Sequence, residues 1–255
     1  MRGARTLMTS IPVRVLWIAM VAICAAVGEV QAVNVVSNGG FDAGFLGWTR
    51  VDQVGGDGTF FLQTGTTSPV NGDAVPSPPQ GVTAAMTDAQ GPGSHVLYQD
   101  VVISAVVPSA ALSFDVFVGN RADAFFTPNT LDFSTPALNQ QARVDILGSG
   151  ANPFSVAASD VLMNAFRTNV GDPLVSGYTH FALDVTALLN AHLSQTLRLR
   201  FAEVDNVNVF QFGVDNVALD IGTPQVVPEP ASWVLLFTAG LGLAWRQRRR
   251  AGRQT

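Results

Sequence analysis

The sequence predicts an all-β protein, a single antiparallel β-sandwich, on the basis of three observations. In several segments apolar and polar residues alternate over five or more positions, which is the period of a strand with one buried face. Phe, Val, Leu, Ile and Thr fill these segments, whereas Gly, Pro, Asn and Asp cluster between them. Helical spacing is confined to two short segments. Many short strands with little helix favour an antiparallel sandwich.

The alternating segments follow one another through the middle and the end of the chain. They are residues 94–103 (SHVLYQDVVI), 110–119 (AALSFDVFVG), 141–148 (QARVDILG), 195–204 (QTLRLRFAEV) and 210–221 (FQFGVDNVALDI). Each is therefore a predicted strand.

The predicted helices and long loops lie between these strands. Residues 160–166 (DVLMNAF) and 184–193 (DVTALLNAHL) have helical spacing, and each begins with an aspartate that can act as N-cap. Residues 63–81 and 120–140 are rich in loop-forming residues. Because long loops within a compact domain often carry function, both are candidates for a binding surface.

The N-terminal segment has the order of a secretory signal peptide. Three arginines precede the apolar run 15–27, and the small residues Val30 and Ala32 precede the expected cut. We therefore predict a signal peptide over residues 1–32. An uncleaved membrane anchor is the alternative, although the run is shorter than the ~20 apolar residues that normally span a bilayer.

The exported domain is acidic and contains no cysteine. Cys24, the only cysteine, lies inside the predicted signal peptide, so no disulfide or thiolate metal site is expected. Residues 33–227 contain six arginines, no lysine and 17 carboxylates, a formal charge of −11. This charge argues against nucleic-acid binding, which needs basic groups. Aspartate-rich loops suit Ca²⁺, and acidic solubility alone is the open alternative.

A second apolar run ends the chain. Pro228, Glu229 and Pro230 precede the apolar segment 231–245. The arginines that follow are expected in the cytoplasm by the positive-inside rule. They are Arg246, Arg248, Arg249 and Arg250. Fifteen helical residues span only ~22 Å of a ~30 Å hydrocarbon core, which predicts a short transmembrane helix that anchors the protein weakly or temporarily.

This arrangement resembles the PEP-CTERM sorting signal in its Pro-Glu-Pro motif, its apolar helix and its arginine cluster, and we assign residues 225–255 to it. The resemblance implies transient retention at the inner membrane of a Gram-negative bacterium, until an exosortase removes the tail. It also implies delivery to the cell surface or to an extracellular polysaccharide matrix, the biofilm. A plain C-terminal anchor is the alternative.

Two segments of the domain, residues 33–224, resemble carbohydrate-binding-like jelly rolls of the galactose-binding type. The matching residues are Asn38, Gly40, Phe41, Asp42, Gly47 and Trp48 near its start, and Val214, Asp215, Asn216 and Val217 near its end. The resemblance implies neighbouring first and last strands that share a structural Ca²⁺, with Asp42 and Asp215 as ligands. In the alternative, these aspartates only bond loop amides. Trp48 is expected in the core.

The motif Val-Asp-Asn-Val occurs twice, ten residues apart, and places Asp205 and Asp215 in equivalent positions. That spacing predicts a strand, a turn and a returning strand. The two carboxylates then either face each other across a shared cation, which makes Asp205 a third candidate ligand, or are solvated at opposite ends of the hairpin.

Catalytic motifs are missing from the sequence, and we predict that the protein is not an enzyme. Glu203, the one glutamate of the domain, is expected to face the core and to pair with Arg143, and the three histidines are expected to be isolated. The candidate ligand-binding residues are Tyr98, Phe125, Phe126 and Tyr178. We predict polysaccharide binding without catalysis; a structural or adhesive surface protein is the alternative.

Overall fold

The computed structural model describes residues 31–223, which fold into two facing antiparallel sheets. The elements are β1 (Gln31–Asn34), β2 (Thr49–Asp52), β3 (Thr59–Thr64), β4 (Thr83–Asp88), β5 (Gly93–Val102), β6 (Ala110–Asn120), β7 (Gln140–Gly148), β8 (Val161–Arg167), β9 (Thr179–Asp184), α1 (Thr186–Ala191), β10 (Thr196–Asp205) and β11 (Phe210–Thr223). This confirms the predicted all-β class.

The strand order defines a jelly-roll β-sandwich. One sheet has the order β3-β4-β11-β6-β9, with β1 added beside β11; the other has the order β2-β5-β10-β7-β8. Every strand pair is antiparallel. The first and last strands are neighbours, with Gln31 opposite Thr223. The arrangement expected from the jelly-roll resemblance is thus present.

The core between the sheets is built on aromatic side chains. The ring centroids of Phe114 and Phe201 lie 5.8 Å apart, and those of Trp48 and Phe201 lie 5.9 Å apart. Trp48 is only 8% exposed, which confirms its predicted place in the core. Burial of such rings provides the stability that a domain without disulfides needs.

One of the two predicted helices is wrong. Residues 161–167 form the strand β8, which pairs with β7 through two register shifts. Pairing with β7 and burial of Phe166 against the core outweigh the helical spacing of the apolar residues. The second helix is confirmed as the shorter α1, Thr186–Ala191, but its N-cap is Val185 and not the predicted aspartate; Asp184 Oδ1 instead accepts from the Thr186 amide at 2.8 Å.

The two long loops lie where the sequence places them, between β3 and β4 and between β6 and β7. The β6–β7 loop folds over the outer face of the second sheet, where Leu131 and Phe133 pack with Val96 and Val204. Much of this face is therefore not free to bind a ligand.

The predicted hairpin between the two Val-Asp-Asn-Val copies is wrong. Residues 206–209 do form a connection, but it joins β10 of one sheet to β11 of the other. Asp205 therefore ends one strand while Asp215 lies inside another, at a bulge in the pairing of β11 with β6. The two carboxylates belong to separate sites.

Two predicted segments lie outside the described residues: the signal peptide, apart from its last two residues, and the sorting signal with its transmembrane helix. Gln31 and Ala32 belong to β1, so the predicted cut after Ala32 falls within that strand. Within residues 31–223 no helix has the length and apolar character to cross a membrane.

Candidate functional site

A pocket of about 200 Å³ opens where the chain passes from β10 to β11. It is lined by Gln90, Gly91, Pro92, Asp205, Asn206, Val207, Asn208 and Val209. Asn206 fixes the connection, because its side-chain amide donates to the carbonyl oxygens of Phe133 and Ala137, both at 3.0 Å. The pocket thus has a wall held by the β6–β7 loop.

Asp205 is the buried carboxylate of this pocket. It is 3% exposed and accepts a hydrogen bond from the Gly93 amide at 2.8 Å. Burial raises the pKa of Asp205 to about 7, and nearby Asp57 adds to the increase, whereas the Gly93 amide and His95 oppose it. Near neutral pH the side chain is therefore poised between its two protonation states.

Behind Asp205 lie His95 and Glu203, each about 1% exposed. One imidazole nitrogen and one oxygen from each carboxyl group all lie within 4.8 Å of one another. Burial raises the pKa of Glu203 well above its usual value, and Asp205 raises it further, although a hydrogen bond with Thr87 opposes both. We refer to His95, Glu203 and Asp205 as the buried triad.

Strand alternation and register bring the buried triad together. Glu203 and Asp205 are two residues apart on β10, so their side chains share one face. His95 on β5 lies directly opposite Glu203, and Gly93 lies opposite Asp205. Position 93 requires glycine, since a Cβ there would lie 2.5 Å from His95 Nε2 and 2.4 Å from the Asp57 carbonyl oxygen.

Two atoms of the buried triad have no hydrogen-bond partner, His95 Nε2 and Glu203 Oε1. The other imidazole nitrogen, His95 Nδ1, lies 2.8 Å from Asp52 Oδ1. Because a carboxylate accepts, Nδ1 is the donor in this contact, and in the neutral imidazole Nε2 is the nitrogen that carries the lone pair. The triad can therefore hold a proton or a cation between its members.

Sequence reasoning missed most of this site. Contrary to the sequence prediction, His95 is not isolated but belongs to the buried triad. Glu203 does not pair with Arg143, because Arg143 lies on the opposite face of the sheet, where its Nε donates to Asp145 at 2.7 Å. The inward direction of Glu203 is confirmed. The position of His95 follows only from the β5–β10 register, which no local motif encodes.

The predicted calcium ligands Asp42 and Asp215 flank the end of the β3–β4 loop. Asp42 accepts from the Val82 amide at 3.1 Å, and Asp215 accepts from the Gln80 amide at 2.9 Å. Burial raises the pKa of Asp215 to about 7, with Asp115 and Asp42 adding to the increase. Calcium binding stays a prediction, which the melting temperature with and without chelator tests.

The four predicted ligand-binding aromatics occupy different surroundings. Phe125 is fully buried against Phe210, so its ring cannot stack on a ligand as predicted. Tyr178 donates its hydroxyl to Gln63 at 2.8 Å and packs on Phe117, which makes it a structural residue. Phe126 and Tyr98 are partly exposed. Arg198 stacks over the Tyr98 ring, with its guanidinium carbon 3.9 Å from the ring centroid, so one face of that ring is already covered.

A second concavity lies at the edge of the sandwich between β2 and β3. This edge groove is shallow and open to solvent, and it is lined by Phe45, Trp48, Thr49, Arg50, Asp52, Gly58 and Thr59. Arg50 stacks over Phe45, with its guanidinium carbon 4.3 Å from the ring centroid, and donates to the Phe60 carbonyl oxygen at 2.8 Å. The groove therefore combines an aromatic ring with fixed polar groups.

The described domain is thus a jelly-roll β-sandwich with an acidic pocket and a polar edge groove. The segment after it carries a sorting signal: the family model for the PEP-CTERM protein-sorting motif matches residues 226–250. Such a motif implies export and membrane-associated sorting by an exosortase. No curated protein matches the chain significantly.

Several solved structures resemble the domain at low sequence identity. TmCBM61 in complex with beta-1,4-galactotriose has a TM-score of 0.42 and 12% identity, over 73% of this chain and 97% of that one. The K3 adhesin domain of Lys-gingipain from Porphyromonas gingivalis has a TM-score of 0.41 and 11% identity, over 76% of this chain and 100% of that one. A cyclase from Fischerella sp. has a TM-score of 0.41 and 16% identity, over 77% of this chain and 100% of that one. The fold itself is defined by the sheet order above.

Proposed function

We propose that the chain is a surface protein that an exosortase releases, and that its β-sandwich binds polysaccharide without catalysing a reaction. The observation that carries this proposal is the order of the chain, a compact acidic sandwich followed by a PEP-CTERM motif. We further propose a Gram-negative host and a place in its extracellular matrix.

The edge groove is the binding site that the geometry favours. It is open along one side, as a site for an extended chain of sugars must be. Phe45 offers an apolar surface for a sugar ring, while Arg50, Asp52 and Thr49 offer donors and acceptors for hydroxyl groups. Because Arg50 is already held by Phe45 and Phe60, little side-chain entropy is lost when a ligand binds.

A glycan array followed by calorimetry on the full-length protein tests this proposal. We expect retention of at least one polysaccharide, with affinity at least tenfold lower in Phe45→Ala and Arg50→Ala. Thr64→Ala, an exposed change at the opposite end of β3 from the groove residue Thr59, is the control and leaves affinity unchanged.

Two results would contradict the proposal. If no glycan is retained and the protein instead associates with itself, the structural or adhesive alternative is correct. If a glycan is retained equally by Phe45→Ala, Arg50→Ala and the control, the site lies elsewhere, and Tyr98→Ala and Phe126→Ala become the next variants to measure.

A further inference from the structure

We propose that the buried triad, His95, Glu203 and Asp205, binds a divalent first-row transition-metal ion such as Zn²⁺. This site shares Asp52 with the edge groove, where Asp52 lines the wall and also contacts His95, and it is separate from the predicted calcium ligands Asp42 and Asp215. It would give the exported protein a metal-dependent stability or reactivity that polysaccharide binding does not require.

The unpartnered atoms are the first argument. His95 Nε2 and Glu203 Oε1 are buried and have no hydrogen-bond partner, although nearly all such atoms in proteins are satisfied. The residues that carry them, together with Asp205, each offer one potential ligand atom, and these three ligand atoms lie within 4.8 Å of one another. A single cation between them would satisfy both atoms at once.

The orientation of His95 is the second argument. Its Nδ1 lies 2.8 Å from Asp52, so Nε2 is the ring nitrogen that is left for a metal ion. Histidine ligands in metal sites almost always donate their other ring proton to a carboxylate or carbonyl in this way. Asp52 therefore has the position of a residue that orients a metal ligand.

The donor types decide the class of metal. One imidazole and two carboxylates suit Zn²⁺ and its first-row neighbours, whereas Ca²⁺ prefers oxygen donors alone. Two ionised carboxylates also balance the charge of a dication, so the buried group becomes neutral. Without the cation, the same two carboxylates repel each other.

The pocket supplies a route to the site. Asp205 lines the pocket and belongs to the buried triad, so an ion that enters the pocket meets a ligand directly. Asp57 binds the amides of Gln90 and Gly91, both at the rim, and adds negative charge there. Three protein ligands leave a coordination position for water or for a ligand that enters by the same route.

Metal binding to the full-length protein, purified in detergent with a histidine-free tag and stripped by chelator, tests the proposal. We expect uptake of one equivalent of Zn²⁺ in calorimetry. Bound Co²⁺ should give visible absorption bands, and these bands should disappear when Zn²⁺ displaces the Co²⁺. Glu203→Gln and His95→Asn should weaken Zn²⁺ binding at least 100-fold, and Asp52→Asn about 10–100-fold. Asp215→Asn removes a carboxylate that is equally buried outside the triad, and should bind within twofold of the wild type.

The outcomes separate a metal from a shared proton. Failure of the stripped wild-type protein to take up one equivalent of Zn²⁺, Co²⁺ or Mn²⁺ would overturn the proposal and leave a protonated carboxyl group in the triad. Unchanged binding in both Glu203→Gln and His95→Asn would overturn it as well. If either variant fails to fold, nitrogen-15 spectra of the wild-type histidines decide: Zn²⁺ should shift His95 Nε2, and no shift refutes the site.

Discussion

At the scale of residues, one buried aspartate neutralises two arginines. Arg200 is fully buried; it pairs with Asp145 and donates to the carbonyl oxygens of Pro153 and Ser155. Arg143 binds the same carboxylate at 2.7 and 2.8 Å. Two guanidinium groups therefore depend on one aspartate, on the sheet face covered by loop residues.

Removing that aspartate should be costly. Asp145→Ala leaves Arg200 buried without a counter-charge, and we expect a loss of about 3–5 kcal/mol in the free energy of unfolding. Asp100→Ala is the matched control, because Asp100 also pairs with an arginine, Arg198, but its side chain is 35% exposed. We expect about 1 kcal/mol or less there. Equal losses in denaturant titrations of the two variants would contradict this prediction.

At the scale of elements, long strands with one buried face were predictable and short or irregular ones were not. The five alternating segments became β5, β6, β7, β10 and β11. In contrast, β4 reads TAAMTD and is almost entirely buried, so it shows no alternation of apolar and polar residues. Such a strand is defined by its neighbours β3 and β11 and not by its own pattern.

The candidate sites show the same division. Strand alternation places Glu203 and Asp205 on one inward face, and this part of the site can be predicted from the sequence. His95 joins them through the register between β5 and β10, a pairing of residues more than 100 positions apart. Asp52 then joins through the β2–β5 register. Long-range register depends on the whole sandwich, so the buried triad could not be predicted from any single segment.

The β3–β4 loop depends on one carboxylate. Asp88 at the end of β4 accepts from the amides of Val70 and Asn71 at 2.7 and 2.9 Å, and from the Asn71 side chain. Burial acts to raise the pKa of Asp88, but the bonds from Asn71 and Val70 outweigh it, and the pKa lies below its usual value. The ionised form therefore holds the loop.

This arrangement predicts an acid-sensitive loop. A carboxyl group with a lowered pKa in the folded state stabilises fully above its unfolded value of about 3.9, and that contribution is lost as the pH falls through the folded value. In Asp88→Asn, we expect a protease to cleave within residues 65–82 at neutral pH. The free energy of unfolding of this variant should also fall less between pH 5 and pH 2 than that of the wild type. A loop as resistant in Asp88→Asn as in the wild type would contradict the prediction.

At the scale of the molecule, the two ends of the domain are neighbours, because Gln31 and Thr223 are paired between β1 and β11. The segments predicted to direct export and sorting thus join the sandwich at one end. If cleavage follows Ala32 as predicted, Val33 and Asn34 remain to pair with β11. The N-terminal mass of the exported protein tests the position of this cut, and a start at any residue other than Val33 would contradict it.

The Pro-Glu-Pro motif is predicted to be necessary for release of the protein from the membrane. Pro228, Glu229 and Pro230 lie outside the described residues, and their predicted role as the recognition site of a processing enzyme rests on the sequence alone. Replacing residues 228–230 by three alanines should leave the uncleaved chain in the membrane fraction of a bacterium that has an exosortase, while the wild type is released. Pro224→Ala, which replaces a proline just before the assigned sorting signal, is the control and should not change release. Equal release of the triple variant and the wild type would show that the segment acts without its Pro-Glu-Pro motif.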